Sequence, residues 1–303
     1  MAKVLICDHV ETEHLNLGAG IVVDNRAGIG RAELLGVVGN YDALIVRSRT
    51  RVDREVIDKA VKLKLVARPG TGLDNVDVEY ATSKGVQVVN SPESLVEAVA
   101  EHVTLLMLAL SRKLVPAAVS TREGKWEKNN LMGTQLKGKV LGIVGLGRIG
   151  RRVAEIALTL GMSVIIYDVI TIPADVIAEL KCRVVGLDEL FAEADYVTLH
   201  VPMTNETRHL VDSDRLSRMK RTAFLVNTSR GGVVDEGALS TALREERIAG
   251  AALDVFEKEP PVGEILSAPN AILTPHIGGQ TQEAQVDAIT IIGEKVRSFF
   301  GGL

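Results

Sequence analysis

The chain has 303 residues, of which 46% are hydrophobic and 24% are charged, and its formal net charge is −4 at pH 7. This composition is typical of a folded globular protein, excludes a disordered chain, and gives room for two domains of ordinary size. The small negative charge favours neither a nucleic-acid partner nor an anionic membrane surface as partner.

Strands and helices are predicted to alternate from the N-terminus to about residue 90. Short apolar runs bounded by polar residues and glycines indicate buried strands, and patterns such as 54–62 indicate helices between them. This alternation predicts an α/β domain with a parallel sheet. The five strands are predicted near 3–7, 20–23, 42–46, 63–67 and 86–89.

A crossing between domains is predicted at Pro92, which restricts the residue before it, and a long helix is predicted from about Ser94. The most apolar part, 95–119, is interrupted by charged residues such as Glu97 and Arg112. These charges would be costly in lipid, so we expect no membrane span.

A second and longer alternation follows the helix and ends near His276. Its pattern predicts another parallel α/β domain. The seven strands are predicted near 140–144, 163–167, 183–185, 195–199, 222–227, 250–255 and 271–274.

The last segment, 281–300, has a helical pattern and no strand to accompany it. We expect this helix to pack on the first domain, which would then be discontinuous. The predicted division is residues 1–92 with 280–303 as one domain and residues 93–279 as the other.

The two cysteines, Cys7 and Cys182, lie in apolar, strand-like surroundings without metal-ligand spacing. Buried free thiols fit this pattern better than a disulfide or a metal site. The N-terminus begins with a strand and lacks the pattern of a signal peptide. We therefore expect a cytoplasmic protein.

The glycine-rich segment GLGRIG, 145–150, follows a predicted strand and opens a predicted helix. Gly145 permits a tight turn, Gly147 lets the backbone approach a pyrophosphate, and Gly150 lets the helix pack on the strand. The next strand ends at Asp168, a carboxylate placed to accept the ribose hydroxyls. This context predicts a dinucleotide site, and the charge of Asp168 favours NAD over NADP.

Polar residues follow most of the predicted strands, where ligands of parallel sheets collect. Three of them, Arg230, Glu259 and His276, suit the oxidation of an alcohol. His276 can exchange a proton near neutrality, Glu259 can orient it, and the planar fork of Arg230 can pair with a carboxylate. Each of these residues taken singly is more often a satisfied or solvated polar group.

Six motifs in a fixed order favour the catalytic interpretation of these three residues. In these motifs the chain resembles the D-isomer-specific 2-hydroxyacid dehydrogenase family nearly from end to end. The resemblance implies two parallel-sheet domains, a Rossmann dinucleotide-binding domain and a flavodoxin-like substrate domain. The matching segments are VRSRTRV at 46–52, RPGTGLDNVD at 68–77, GLGRIG at 145–150, NTSRGGVVDE at 227–236, AALDVFEKEP at 251–260 and TPHIGG at 274–279.

The resemblance also implies roles for individual residues. It makes Arg230, Glu259 and His276 catalytic, and it assigns the backbone of Gly70-Thr71-Gly72 to the substrate carboxylate. The cofactor-binding residues are expected to be Gly145, Gly147, Arg148, Ile149, Gly150, Asp168, His200, Pro202, Thr228, Asp254 and Gly278.

The segment GKWEKNNLMGTQL, 124–136, is most similar to family members that oxidise 3-phospho-D-glycerate, the entry step of serine biosynthesis. Arg47 and Arg49 lie two residues apart, so in a regular strand they would share a face and could bind a phosphate. The chain ends at Leu303, which leads us to expect a short form without a C-terminal regulatory domain.

Two other functions stay open. A glyoxylate or hydroxypyruvate reductase would handle unphosphorylated acids and would leave the arginines as a solvated turn. An NAD-sensing corepressor or scaffold would bind cofactor without turnover. The apolar helix from Ser94 and the loop around Trp126 also suggest a homodimer, as the resemblance implies.

Overall fold

A computed structural model of the chain describes residues 1–301. The chain divides into two compact units. Unit 1 consists of Met1–Val96 with the described part of Gly279–Leu303, and unit 2 is Glu97–Gly278. The boundaries predicted from the sequence, 92/93 and 279/280, lie near these positions.

Unit 1 contains a five-stranded parallel sheet in the order β2-β1-β3-β4-β5. This is the order of flavodoxin-like folds. The strands are β1 Ala2–Ile6, β2 Ile21–Asn25, β3 Ala43–Ile45, β4 Leu65–Arg68 and β5 Gln87–Asn90.

Helices cover both faces of this sheet, since alternate residues of its strands are apolar on either side. Leu5 and Leu44 lie in a core with residues of α1, α2 and α3. Val4 and Ile45 face the opposite way and pack with the C-terminal helix α11. The helices of unit 1 are α1 Arg31–Val37, α2 Arg54–Lys59, α3 Val78–Ser83 and α11 Gln282–Gly301.

Unit 2 contains a seven-stranded parallel sheet in the order β12-β11-β10-β9-β6-β7-β8. Counted from β6, this is the Rossmann order with one added edge strand. The strands are β6 Val140–Val144, β7 Ser163–Tyr167, β8 Arg183–Val184, β9 Tyr196–Leu199, β10 Phe224–Asn227, β11 Gly250–Leu253 and β12 Ala271–Leu273.

The helices of unit 2 fill the connections between these strands and precede the sheet. Their bounds are α4 Val96–Ser111, which begins at the unit boundary, α5 Leu114–Arg122, α6 Arg148–Thr159, α7 Ala174–Leu180, α8 Leu187–Glu193, α9 Ser213–Arg218 and α10 Glu236–Arg244.

The predicted fold class and all twelve predicted strands are confirmed, but the long helix predicted over 95–119 is divided. Lys113 has a left-handed backbone, with φ 49°, between α4 and α5. Pro116 explains the break, because it lacks the N–H that a continuous helix would donate to the carbonyl of Arg112. In residues 1–301, no single helix is long and apolar enough to cross a membrane. Helices α4 and α5 reach such a length and apolar composition only together, and the pair is bent by 63°.

Each sheet has a point where the strand order reverses, and ligands of such sheets bind beyond the carboxyl ends of the strands there. In unit 1 this point lies between β1 and β3, and in unit 2 between β6 and β9. The residues that follow β1 and β3 include Asp8 and Arg47, and those that follow β6 and β9 include Gly145 and His200.

Candidate active site

The glycine loop after β6 has the close packing that its sequence predicts. Gly145 has φ +94°, and a Cβ there would lie 2.7 Å from the carbonyl oxygen of His200. A Cβ on Gly150 would lie 2.2 Å from the carbonyl oxygen of Gly145. Gly147 has no such neighbour within 4 Å, so its open side is free for a ligand that approaches the backbone.

The loop leads directly into α6, a helix of 12 residues whose N-cap is Gly147. Arg148 and Ile149 occupy its first turn, where backbone N–H groups have no acceptor within the helix. These donors and the positive end of the helix dipole favour an anionic group such as a pyrophosphate.

Asp168 follows β7 and is tied to the same loop. Its Oδ2 accepts the backbone N–H of Leu146 at 2.7 Å, and its Oδ1 accepts that of Ile170 at 3.0 Å. The carboxylate therefore fixes the glycine loop and is only partly buried.

His200, Pro202 and Thr228 follow β9 and β10. Burial of its ring lowers the pKa of His200 to about 4, so this side chain is neutral near pH 7. The carbonyl of Pro202 accepts the Thr207 hydroxyl at 2.6 Å. The Thr228 hydroxyl oxygen is buried and has no hydrogen-bond partner among residues 1–301. An orphaned hydroxyl and a glycine loop with an open side fit a dinucleotide in this part of unit 2.

His276 and Glu259 are brought together although 17 residues separate them. Nδ1 of His276 lies 2.9 Å from Oε2 and 3.1 Å from Oε1 of Glu259. The side chains are 53% and 42% exposed, so a substrate can reach the pair. With Nδ1 facing the carboxylate, Nε2 is the nitrogen left to exchange a proton.

Arg230 is positioned by a turn that Asn227 organises. The Asn227 side chain donates to the carbonyl of Arg230 at 2.9 Å and accepts the N–H of Ser229 at 3.0 Å. The next residue, Gly231, has no room for a Cβ, which would lie 1.8 Å from the carbonyl carbon of Phe256. This close approach packs the Arg230 turn against the segment that leads to Glu259.

Asp254 is 1% exposed, and its carboxylate serves the segment 274–278. Oδ1 accepts the Thr274 hydroxyl at 2.6 Å and the N–H of Ile277 at 2.9 Å. Oδ2 accepts the N–H of Gly278 at 2.7 Å. Both Asp254 and Gly278 were predicted to contact the cofactor, and in this structure they bond to each other.

In unit 1, Arg47 and Arg49 lie beyond β3 rather than within it, and they have different surroundings. Arg49 contacts Asp8 at 3.4 Å and donates to the carbonyl of Ile29 at 2.7 Å. Arg47 is partly buried, and its side chain forms no ion pair or hydrogen bond within residues 1–301. Burial lowers the pKa of its guanidinium below the usual range, and Asp8 only partly opposes this.

Asp8, which was not predicted from the sequence, holds the arginine loop in place. This carboxylate is 4% exposed and accepts the N–H of Arg47 at 2.6 Å, the N–H of Thr50 at 3.2 Å and the Thr50 hydroxyl at 2.7 Å. Its place directly after β1 was a signal that could have found it.

The segment Gly70-Thr71-Gly72 follows β4 and is fixed from β5. The N–H of Gly70 is donated to the Ser91 hydroxyl at 2.8 Å, so it is already used within unit 1. The carbonyl of Thr71 accepts the Asn90 side chain at 2.6 Å. The Thr71 hydroxyl is buried without a partner among residues 1–301. Thr71 and Gly72 therefore keep donors for a ligand, and Gly70 shapes the turn.

No cluster of three or more His, Cys, Asp or Glu side chains suited to a metal ion occurs within residues 1–301.

Comparison with known proteins agrees with this arrangement. The sequence model of one protein family, the D-isomer specific 2-hydroxyacid dehydrogenase NAD-binding domain, matches residues 104–278. A D-3-phosphoglycerate dehydrogenase from Synechocystis sp. is 43% identical over 306 residues, which cover 100% of this chain and 55% of that protein. A hydroxypyruvate reductase from Thermotoga maritima is 46% identical over 257 residues, which cover 84% of this chain and 83% of that protein.

A solved structure of another protein has a similar fold. D-lactate dehydrogenase from Aquifex aeolicus, complexed with NAD and lactic acid, has a TM-score of 0.86 and 30% identity over 99% of this chain and 96% of that one. The chain belongs to the D-isomer-specific 2-hydroxyacid dehydrogenase family, and residues 104–278 are its NAD-binding domain. It spans 55 to 58% of the length of three D-3-phosphoglycerate dehydrogenases that it matches.

Proposed function

We propose that the protein is an NAD-dependent D-3-phosphoglycerate dehydrogenase, which oxidises 3-phospho-D-glycerate to 3-phosphohydroxypyruvate at the start of serine biosynthesis. The observation that carries the proposal is the pair of His276 and Glu259, with Nδ1 and Oε2 2.9 Å apart in a member of a dehydrogenase family. The similarity to D-3-phosphoglycerate dehydrogenases supports the choice of substrate.

His276 is proposed to be the general base. Its Nε2 takes the proton of the C2 hydroxyl as the C2–H bond breaks and the carbonyl forms. Glu259, on the other ring nitrogen, stabilises the imidazolium that results. A bound nicotinamide supplies the acceptor for the hydride that leaves C2.

Arg230 is proposed to pair with the substrate carboxylate and to polarise the neighbouring oxygen, for which its planar fork is suited. In unit 1, Thr71 and Gly72 keep N–H donors that suit a carboxylate, the role that the family resemblance implies for them. Gly70 is left out of this direct role, because its N–H is donated to Ser91.

Arg47 is the stronger candidate for the phosphate. A partly buried guanidinium without a direct ion pair is costly, and a bound anion would reduce this cost. Arg49 already has Asp8 and the Ile29 carbonyl as partners, so its part is to shape the loop and add positive charge.

The cofactor is proposed to be NAD rather than NADP. The carboxylate of Asp168 stands at the end of β7, where the adenosine ribose of a dinucleotide binds in this fold. Its two backbone bonds leave lone pairs for ribose hydroxyls, and its charge repels a 2'-phosphate.

A hydroxypyruvate or glyoxylate reductase is the second candidate, favoured by the 46% identity to the Thermotoga maritima hydroxypyruvate reductase. Such an enzyme has no need for the Arg47 site. An NAD-sensing corepressor is a third candidate from another class, and it requires no turnover. We further propose a cytoplasmic homodimer.

The test is a panel of phosphorylated and unphosphorylated 2-hydroxy and 2-oxo acids, followed by NADH absorbance, on the native chain and on R47Q. We expect phosphohydroxypyruvate to be preferred, and R47Q to raise its KM by one to two orders of magnitude while hydroxypyruvate changes little. Arg51→Gln is the matched control, as an exposed arginine of the same loop.

A preference of the native chain for glyoxylate or hydroxypyruvate would replace the phosphoglycerate assignment by the reductase. Binding of NADH without turnover of any acid in the panel would favour the corepressor.

A further inference from the structure

A buried histidine on α4 lies directly behind the segment that carries His276. His102 is 9% exposed, in the middle of a helix whose buried residues are otherwise mostly apolar. Its Nε2 lies 3.3 Å from the Thr274 hydroxyl and 3.5 Å from Oδ1 of Asp254. Burying an imidazole in such a place is costly unless its polar atoms have a use.

The hydrogen bonds of this cluster fix which atom donates. The Thr274 hydroxyl has one proton, which it donates in a 2.6 Å hydrogen bond to Oδ1 of Asp254. The hydroxyl oxygen then acts as acceptor towards His102, so Nε2 of His102 carries the proton. The donor groups of both side chains, the Thr274 hydroxyl and the His102 Nε2–H, therefore lie next to the carboxylate of Asp254.

Asp254 in turn holds the backbone that follows His276. Its carboxylate accepts the N–H groups of Ile277 and Gly278 at 2.9 and 2.7 Å, immediately after His276. A Cβ on Gly278 would lie 3.6 Å from the His102 ring, so α4 packs closely against this segment.

His276 itself needs such support, because its backbone is left-handed with φ 55°. Residues other than glycine adopt this conformation at a cost, and they keep it only where the surroundings hold it. The Asp254 bonds on one side and the His276 N–H to Thr274 carbonyl bond, 3.0 Å, on the other provide that hold.

We propose that His102 is a positioning residue for His276, acting through Thr274 and Asp254. It touches neither substrate nor cofactor in this role. The same hydrogen bonds stabilise the charged form of Asp254. Burial alone would raise the pKa of this carboxyl, but the bonds from His102, Thr274 and the two N–H groups outweigh burial and lower the pKa. The proposal rests on His276 being the base proposed above.

Two variants break the network at different atoms. His102→Leu removes the ring donor, and Thr274→Val removes the hydroxyl with little change of shape. We expect each to lower kcat about tenfold with KM nearly unchanged, and the double variant to lose less than the product of the two losses. His102→Gln, which restores an N–H donor, should recover part of kcat.

Hydrogen exchange gives a readout that needs no turnover. In His102→Leu and Thr274→Val, the amides of Ile277 and Gly278 should exchange about tenfold or more faster, while those of β9 stay protected. Val103→Ala is the matched control, because Val103 neighbours His102 in α4 and is also buried. It should reduce stability without a selective effect on kcat or on these two amides.

Unchanged exchange at Ile277 and Gly278 in both variants would overturn the proposal, as would an equal loss of kcat in Val103→Ala. If the native chain oxidises no acid in the panel, the proposed function fails, and the exchange rates still decide whether His102 holds the segment.

Discussion

Asp168 shows how one side chain shapes a loop and can select a ligand. Its carboxylate accepts a backbone N–H from the glycine loop and another from the chain just after β7. An uncharged amide keeps one acceptor oxygen, so Asp168→Asn can retain one of these two backbone bonds while it removes the negative charge.

We expect Asp168→Asn to fold normally and to lower the ratio of kcat/KM for NAD to that for NADP by one to two orders of magnitude. The reason is the loss of charge-assisted bonds to the ribose and of repulsion towards a 2'-phosphate. Steady-state rates with both cofactors measure the ratio. Asp175→Asn, the same change at an exposed position of α7, should leave it unaltered; a native chain that prefers NADP would show the cofactor assignment to be wrong.

The three proposed catalytic residues could be identified from the sequence because their types and the order of the motifs carry the information. Their supports were less accessible. Arg47 and Arg49 look alike in sequence, yet only the fold places Asp8 and the Ile29 carbonyl beside Arg49. The bond between Gly70 and Ser91 likewise depends on the pairing of β4 with β5, which no local pattern specifies.

At the scale of elements, the turn from β6 into α6 combines packing and binding in neighbouring glycines. The Gly150 side faces protein, with the Gly145 carbonyl 2.2 Å from a Cβ position, whereas Gly147 faces open space. Substitution by alanine therefore has a different expected effect at each position.

We expect Gly150→Ala to reduce the free energy of unfolding by about 1–3 kcal/mol, because the added methyl group overpacks the turn. Gly147→Ala should leave it within about 0.5 kcal/mol, since φ is −71°, and should weaken NADH binding about tenfold or more by obstructing the pyrophosphate. Denaturant unfolding and calorimetric titration measure the two quantities.

Gly186→Ala is the control for this pair. Gly186 is also the N-cap of a helix, α8, has φ −67° and has open space around a Cβ. It should change neither quantity, and equal NADH affinity in Gly147→Ala and the native chain would remove Gly147 from the binding site.

The strands were predictable because both sheets are buried on both faces, so their apolar runs stand out between polar turns. The division between α4 and α5 was harder to predict. Apolar residues continue through it, and the break depends on the absent N–H of Pro116 and on the left-handed Lys113. Those features weigh more than hydrophobic periodicity at that point.

At the scale of the whole molecule, the outer side of α4 and α5 carries apolar side chains that the described chain leaves uncovered. Leu105, Leu114 and Val119 are each just over 50% exposed, and Trp126 in the following loop is 85% exposed. Exposed apolar side chains concentrated on neighbouring elements are typical of an interface, and a second copy of the chain is the occupant we propose.

We expect the native chain to be a dimer at micromolar concentration and the double variant Leu105→Glu/Val119→Glu to be a monomer, because two buried unpaired charges would be costly at the interface. Light scattering after size-exclusion chromatography measures the mass. Val61→Glu, at a residue that is 80% exposed in unit 1, should remain dimeric. A monomeric native chain would contradict the prediction.

The discontinuity of unit 1 imposes an order on biosynthesis. Unit 2 is one uninterrupted stretch, Glu97–Gly278, and emerges from the ribosome before α11 exists. The sheet of unit 1 is made first, but Val4, Ile45 and their neighbours lack the cover of Ile292 and Val296 until α11 is synthesised. The first strands of the protein are therefore the last to be completed, and part of their apolar face stays exposed until the end of translation.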